Sequence, residues 1–146
     1  MNEFLWPARV YYEDTDSGGV VYHSNYLNFM ERARTEWLRS KGFELDQLHD
    51  QGTVFVVRSM QIEFKSPARF NQLLETYLCL VNIGKASMVL EQEIKNTSDP
   101  SAQYPHQVNQ NPGKLLVSAK VKLACIDTNN FRPRSIPDAI LKEIMQ

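Results

Sequence analysis

Three features between residues 13 and 26 could do chemistry. Asp14 and Asp16 set two carboxylates two residues apart in a loop-like segment. Gly18-Gly19 follows, where backbone can take positive φ or approach a bound group closely. His23 then stands at the entry of an apolar-periodic stretch, where a helix start presents free N–H groups and the positive end of its dipole. A carboxylate, an imidazole and a helix N-terminus together can activate water and steady a developing oxyanion. A loop and a helix cap account for each residue separately, so the local pattern leaves both readings open.

The elements that must position these residues are legible from spacing. Tyr26, Phe29, Met30, Ala33 and Trp37 recur every three or four residues, which predicts one long helix. Ser24 or Asn25 can cap its start, and Gly42 can end it. Its other face carries Glu31, Arg32, Arg34, Glu36, Arg39 and Lys41, and a solvated surface accounts for most of them. A short second helix is expected over 44–50. Strands are expected at 8–12, 53–64, 73–83, 86–95 and 115–125, the last with Leu115, Val117, Ala119, Val121, Leu123 and Cys125 on one face. Residues 65–72, with Pro67 and Asn71, read as a turn, and a short terminal helix follows with Pro137 at its first position. The stretch 96–113 reads as a long polar loop containing His106, to which no role is given.

The implied architecture is α+β: about five antiparallel strands with one long helix across one face, in a single domain over 1–146. The uncovered sheet face and edges call for a partner, so oligomers are expected. Composition narrows the function classes. A net charge of −1 gives no global attraction to nucleic acid or anionic membrane. No stretch approaches the roughly 20 apolar residues of a membrane span. The N-terminus has neither the basic flank nor the apolar run of a secretory signal, so a cytoplasmic location is expected. Cys79 and Cys125 lie in separate strand-like runs and read as buried free thiols, with no metal site.

The ordered run Arg9-Val10, Tyr12, Thr15-Asp16, Gly19-Val20-Val21-Tyr22-His23, Tyr26 and Glu31-Arg32-Ala33-Arg34-Thr35 resembles the active-site signature of the 4-hydroxybenzoyl-CoA thioesterase family. It is most like the acyl-CoA thioesterases associated with the Tol–Pal system. A weaker likeness continues through Ser66-Pro67-Ala68, Cys125-Ile126-Asp127 and Arg132-Pro133-Arg134. The stretch 96–113 departs from the pattern, being longer than the family's usual hairpin. The resemblance implies a hotdog fold, no cofactor, and dimers with active sites between subunits, commonly paired into tetramers. It maps Asp16 onto the family's catalytic aspartate, and Tyr12 and His23 onto positions tied to activity.

The activity so implied is hydrolysis of acyl-CoA, with a short aliphatic or aromatic acyl group, or of an acyl-carrier-protein thioester. Asp16 would act as general base or nucleophile. His23 could orient water or Asp16, and Tyr12 could position Asp16 through its hydroxyl. Gly19 would bring backbone to the substrate, while Arg132 and Arg134, with Lys65 and Arg69, are basic candidates for the CoA phosphates. Two other classes stay open. One is a dehydratase or hydratase pairing His23 with Glu31; the other is a non-catalytic acyl-CoA-binding module.

Overall fold

The periodic stripe makes α1 (Asn25–Ser40), and it makes it for the expected reason. In the computed structural model, which describes residues 3–98 and 113–146, Tyr26, Phe29, Met30, Ala33, Trp37 and Leu38 are all buried. Gly42, at φ +95°, turns the chain out of the helix. The start differs from expectation, because neither candidate side chain caps it. Ser24 already has helical angles and offers its carbonyl to the Leu27 N–H at 3.1 Å. The Asn25 amide is committed to Asp14.

Five strands form one antiparallel sheet: β1 (Glu3–Arg9), β2 (Thr53–Phe64), β3 (Leu73–Ile83), β4 (Ser87–Asn96) and β5 (Lys114–Asp127). Their order is β1-β3-β4-β5-β2, so β1 and β2 are the edges. The first strand runs 3–9 rather than 8–12. Pro7 lies within it, and an edge strand tolerates the missing N–H. The chain then leaves the sheet through a 3-10 turn at Tyr12–Asp14. In β5 the register slips opposite Ile94/Lys95, so Leu116 joins Val117 in the interior and Leu115 is left half-buried. Cys125 is buried as expected, but Cys79 is only half-buried on the outer side. Two short helices, α2 (Leu45–Asp50) and α3 (Asp138–Ile144), complete the elements, with Pro137 one position earlier than expected, as N-cap.

Leu74, Leu78 and Leu80 of β3, Met88, Leu90 and Ile94 of β4, and Val117, Val121 and Leu123 of β5 form one cluster with the buried face of α1. A single polar link crosses this interior. Gln92, 1% exposed, accepts a hydrogen bond from Arg34 Nη1 at 2.9 Å and donates one to the Met30 carbonyl at 3.1 Å. Burial pulls the Arg34 guanidinium below its ordinary pKa, an effect the nearby Glu31 carboxylate opposes. The expected loop 96–113 begins later, since Asn96 ends β4 and Thr97 and Ser98 are buried against Leu73. The rest of it, with His106, lies outside the described residues. Among those described, no helix is long and apolar enough to cross a membrane.

The helix–sheet link gives the first prediction. Gln92→Met keeps the volume and removes both bonds, so stability should fall by about 1–3 kcal/mol. Urea unfolding measures this; an unchanged midpoint at unchanged slope would contradict the role given to Gln92.

Candidate active site

The two loop carboxylates have opposite environments. Asp14 is 7% exposed. Its Oδ2 accepts the Tyr11 N–H at 2.8 Å and its Oδ1 accepts the Asn25 side-chain N–H at 2.7 Å. Its carbonyl also accepts the Tyr22 N–H at 3.0 Å. Asp14 therefore ties both ends of the loop to the start of α1, with both carboxylate oxygens engaged.

Asp16 is exposed, at the tip of a tight reversal. Its N–H donates to the Val20 carbonyl at 2.9 Å and its carbonyl accepts the Gly19 N–H at 3.0 Å. Gly19 holds φ +79°, which explains glycine there. The Gly18 N–H donates to Asp16 Oδ1 at 2.8 Å and fixes the carboxylate's direction. Oδ2 makes no hydrogen bond among the described residues, so one oxygen is oriented and the other is open. A Cβ on Gly18 would stand 3.2 Å from Oδ1, so a side chain there would push the carboxylate by a few tenths of an ångström.

The loop is braced from behind. Val20 bridges Arg69, and the Val21 N–H reaches the Ala68 carbonyl at 2.9 Å. The Ala68 N–H donates to the buried Tyr26 hydroxyl at 2.9 Å. Burial pushes the Tyr26 phenol up; the Ala68 hydrogen bond opposes this, and the charge of Asp16 adds to the rise. Tyr26 reads from sequence as helix core, yet its hydroxyl is the polar floor beneath the Asp16 loop. Its place in the family-like run was the only sequence signal for that.

The other candidates scatter. His23 is exposed and close to the Asp16 loop in the chain, with its ring edge-on to Tyr22 at 4.5 Å and to Phe64 at 6.2 Å between centroids. Tyr12 is 80% exposed and packs on Phe70 at 6.0 Å; its hydroxyl makes no hydrogen bond to Asp16. Glu31 stands six helix residues beyond Asn25, about 9 Å along the axis, and makes no hydrogen bond to His23. Lys65 lies 3.6 Å from Glu63. Arg134 gives one guanidinium N–H to the Gly52 carbonyl at 2.7 Å, while Arg132 is exposed. Both arginines flank the Asp127 end of β5, which pairs with Thr53 at the start of β2. His23 packs at the opposite end of β2, on Phe64, roughly 35 Å away at the ordinary rise of a strand.

A cavity of about 330 Å³ opens at the Thr53 end, between α1, α2 and β2. Leu38, Leu45, Phe55, Val57 and Leu123 give it apolar walls, with Glu31 and Thr35 on the helix side. Among the described residues no cluster of three or more His, Cys, Asp or Glu side chains is set to hold a metal ion.

Comparison with known proteins decides the family. The model for the thioesterase superfamily matches residues 18–102. The chain belongs to the thioesterase superfamily. The match to this superfamily model begins just past Asp16, but whole-chain relatives span the loop. The acyl-CoA thioester hydrolase YbgC of Escherichia coli is 40% identical over 143 residues, 98% of this chain and 96% of that one. The acyl-CoA thioesterase YbgC of Haemophilus influenzae is 37% identical, covering 95% of this chain and 92% of its own. Among solved thioesterase structures, a probable thioesterase from Bartonella henselae superposes with a TM-score of 0.79 at 35% identity, over 93% of this chain and all of that one. The α+β hotdog fold read from the sequence is thereby borne out.

The contrast between the carboxylates is testable. Asp14→Ala should lower stability by about 1.5–3 kcal/mol, the range for hydrogen bonds to a charged group. Asp16→Asn, which keeps an acceptor for the Gly18 N–H, should leave the unfolding midpoint near that of the parent. Thermal unfolding of the two variants compares them, and equal losses would contradict the division of roles.

Proposed function

We propose that the chain hydrolyses acyl-CoA thioesters, with Asp16 as the catalytic carboxylate, in a site completed by a second copy. The observation that carries this reading is the state of Asp16: one oxygen held by the Gly18 N–H, the other open, on a braced loop beside the start of α1. A thioester asks for little more. Asp16 takes a proton from water as its oxygen attacks the carbonyl carbon, or attacks that carbon itself to give an anhydride that water then opens. Backbone N–H groups steady the oxyanion. The C–S bond breaks, and CoA leaves as a thiolate that takes up the proton. The names borne by relatives of 37–40% identity support the substrate class.

The second copy follows from where the parts lie. Asp16 and His23 sit at the Phe64 end of β2, the apolar cavity and Arg132 at the Thr53 end. Along β2 these parts lie apart within one chain, and a second copy brings them to one ester. β2 is an open edge of 12 residues without proline, and it exposes Val57 and Phe64. β1, the other edge, is blunted by Pro7. Pairing β2 antiparallel with its own copy lays the Phe64 end of one strand against the Thr53 end of the other. The carboxylate of one protomer then faces the cavity of its partner. The cavity's size and walls suit a short aliphatic or an aromatic acyl group. The reading also puts the enzyme in the cytoplasm, where acyl-CoA esters are made and used.

Thiol release from aliphatic and aromatic acyl-CoA esters tests the proposal. Asp16→Asn should lower turnover by roughly 10²–10⁴. Turnover near that of the parent, in a folded variant, would remove Asp16 from the chemistry. Turnover that survives there but collapses in Glu31→Gln would shift the role to the helix carboxylate.

A further inference from the structure

Away from the Asp16 loop, one side chain stands against its own preferences. Phe131 is 71% exposed and holds φ +57°, a left-handed conformation that a bulky residue rarely adopts. The turn around it leaves little freedom. The Asp127 N–H meets the Arg132 carbonyl at 2.9 Å, and the Phe131 N–H meets the Asp127 carbonyl at 2.9 Å. The Asn129 N–H bonds Asp127 Oδ1 at 2.8 Å and the Arg132 N–H bonds Asn130 Oδ1 at 2.9 Å. The Thr128 N–H reaches across to the Gly52 carbonyl at 3.1 Å, anchoring the turn to the start of β2. The turn thus fixes the Phe131 backbone and leaves its ring in water. Phe131 takes part in no aromatic pair among the described residues.

The turn carries the Asp127 carboxylate, already bonded to the Asn129 N–H, and one cation. Arg132 is adjacent and exposed. Lys85, exposed in the β3–β4 hairpin, is joined to the same segment through its carbonyl, which accepts the Ile136 N–H at 2.9 Å. Along β2 the turn lies only two residues beyond Phe55, which lines the acyl cavity. A solvent-facing ring beside Arg132 suits a flat base that carries phosphates: the base stacks and the cation takes negative charge.

We infer that Phe131 is the stacking platform for the adenine base of CoA, with Arg132 meeting its phosphates. This rests on the thioesterase reading and adds to it. Phe131 becomes a specificity residue that selects the CoA ester over the same acyl group on pantetheine or a carrier protein, neither of which brings a base.

The test compares KM for an acyl-CoA with KM for the matching acyl-pantetheine. In Phe131→Ala the preference for the CoA ester should fall roughly five- to tenfold, the low end for a lost base–aromatic stack. Phe131→Trp should keep it. Phe131→Gly should lose it while unfolding no earlier than the parent, because glycine accepts the positive φ. An unchanged preference in Phe131→Ala and Phe131→Gly would overturn the inference and leave the hydrolase standing. Equal KM changes for both esters, or a changed oligomeric state in light scattering, would overturn it too by showing a structural role. No thiol release by the parent from either ester would remove the thioesterase reading and this inference with it.

Discussion

The Asp16 loop depends on one buried carboxylate, that of Asp14. Asp14 holds Tyr11 on one side and Asn25 on the other, and its backbone holds Tyr22. These bonds fold the twelve residues around it into a compact loop seated on the first turn of α1. Burying a charge is costly unless its oxygens are hydrogen-bonded, and both oxygens of Asp14 are. The consequence falls on Asp16. With the loop closed by its neighbour, Asp16 can spend one oxygen on orientation and keep the other open. Two identical side chains, two positions apart, are divided by environment into a clamp and an exposed group with one oxygen open.

The same economy shows at larger scale. The long helix is joined to the sheet by apolar packing and by the Arg34–Gln92–Met30 link, which sets the helix over β4. β2 lies at the edge of the sheet. In the proposed enzyme this open edge is the element across which two copies meet.

Much of this was legible in the residues. The period of the apolar stripe gave α1, and alternation gave β2 to β5 nearly to the residue. Failures have local causes. β1 was displaced because Trp6-Pro7 does not look like a strand until its edge position is known. The β5 bulge exchanged Leu115 for Leu116 because a register slip has no signature in alternation. The pattern around Asp16 drew attention to this loop, but it could not tell which carboxylate would be buried. Arg134 looked like Arg132 in the sequence; only packing shows that one is engaged with Gly52 and the other is exposed. The separation of the arginines from Asp16 was invisible, because chain order carries no information about which end of a strand a loop returns to.

The central claim is that Asp16 of one protomer acts on an ester held in the cavity of its partner. Subunit mixing tests it most directly. One inactive chain carries Asp16→Asn; the other carries Thr35→Trp, whose ring fills the cavity. Each homodimer should be inactive. Unfolding and reannealing the two in equal amounts should restore about a quarter of parental thiol release, because half the dimers are mixed and each mixed dimer rebuilds one intact site of two. Activity that stays absent after verified mixing would contradict a shared site and return both parts of the chemistry to one chain.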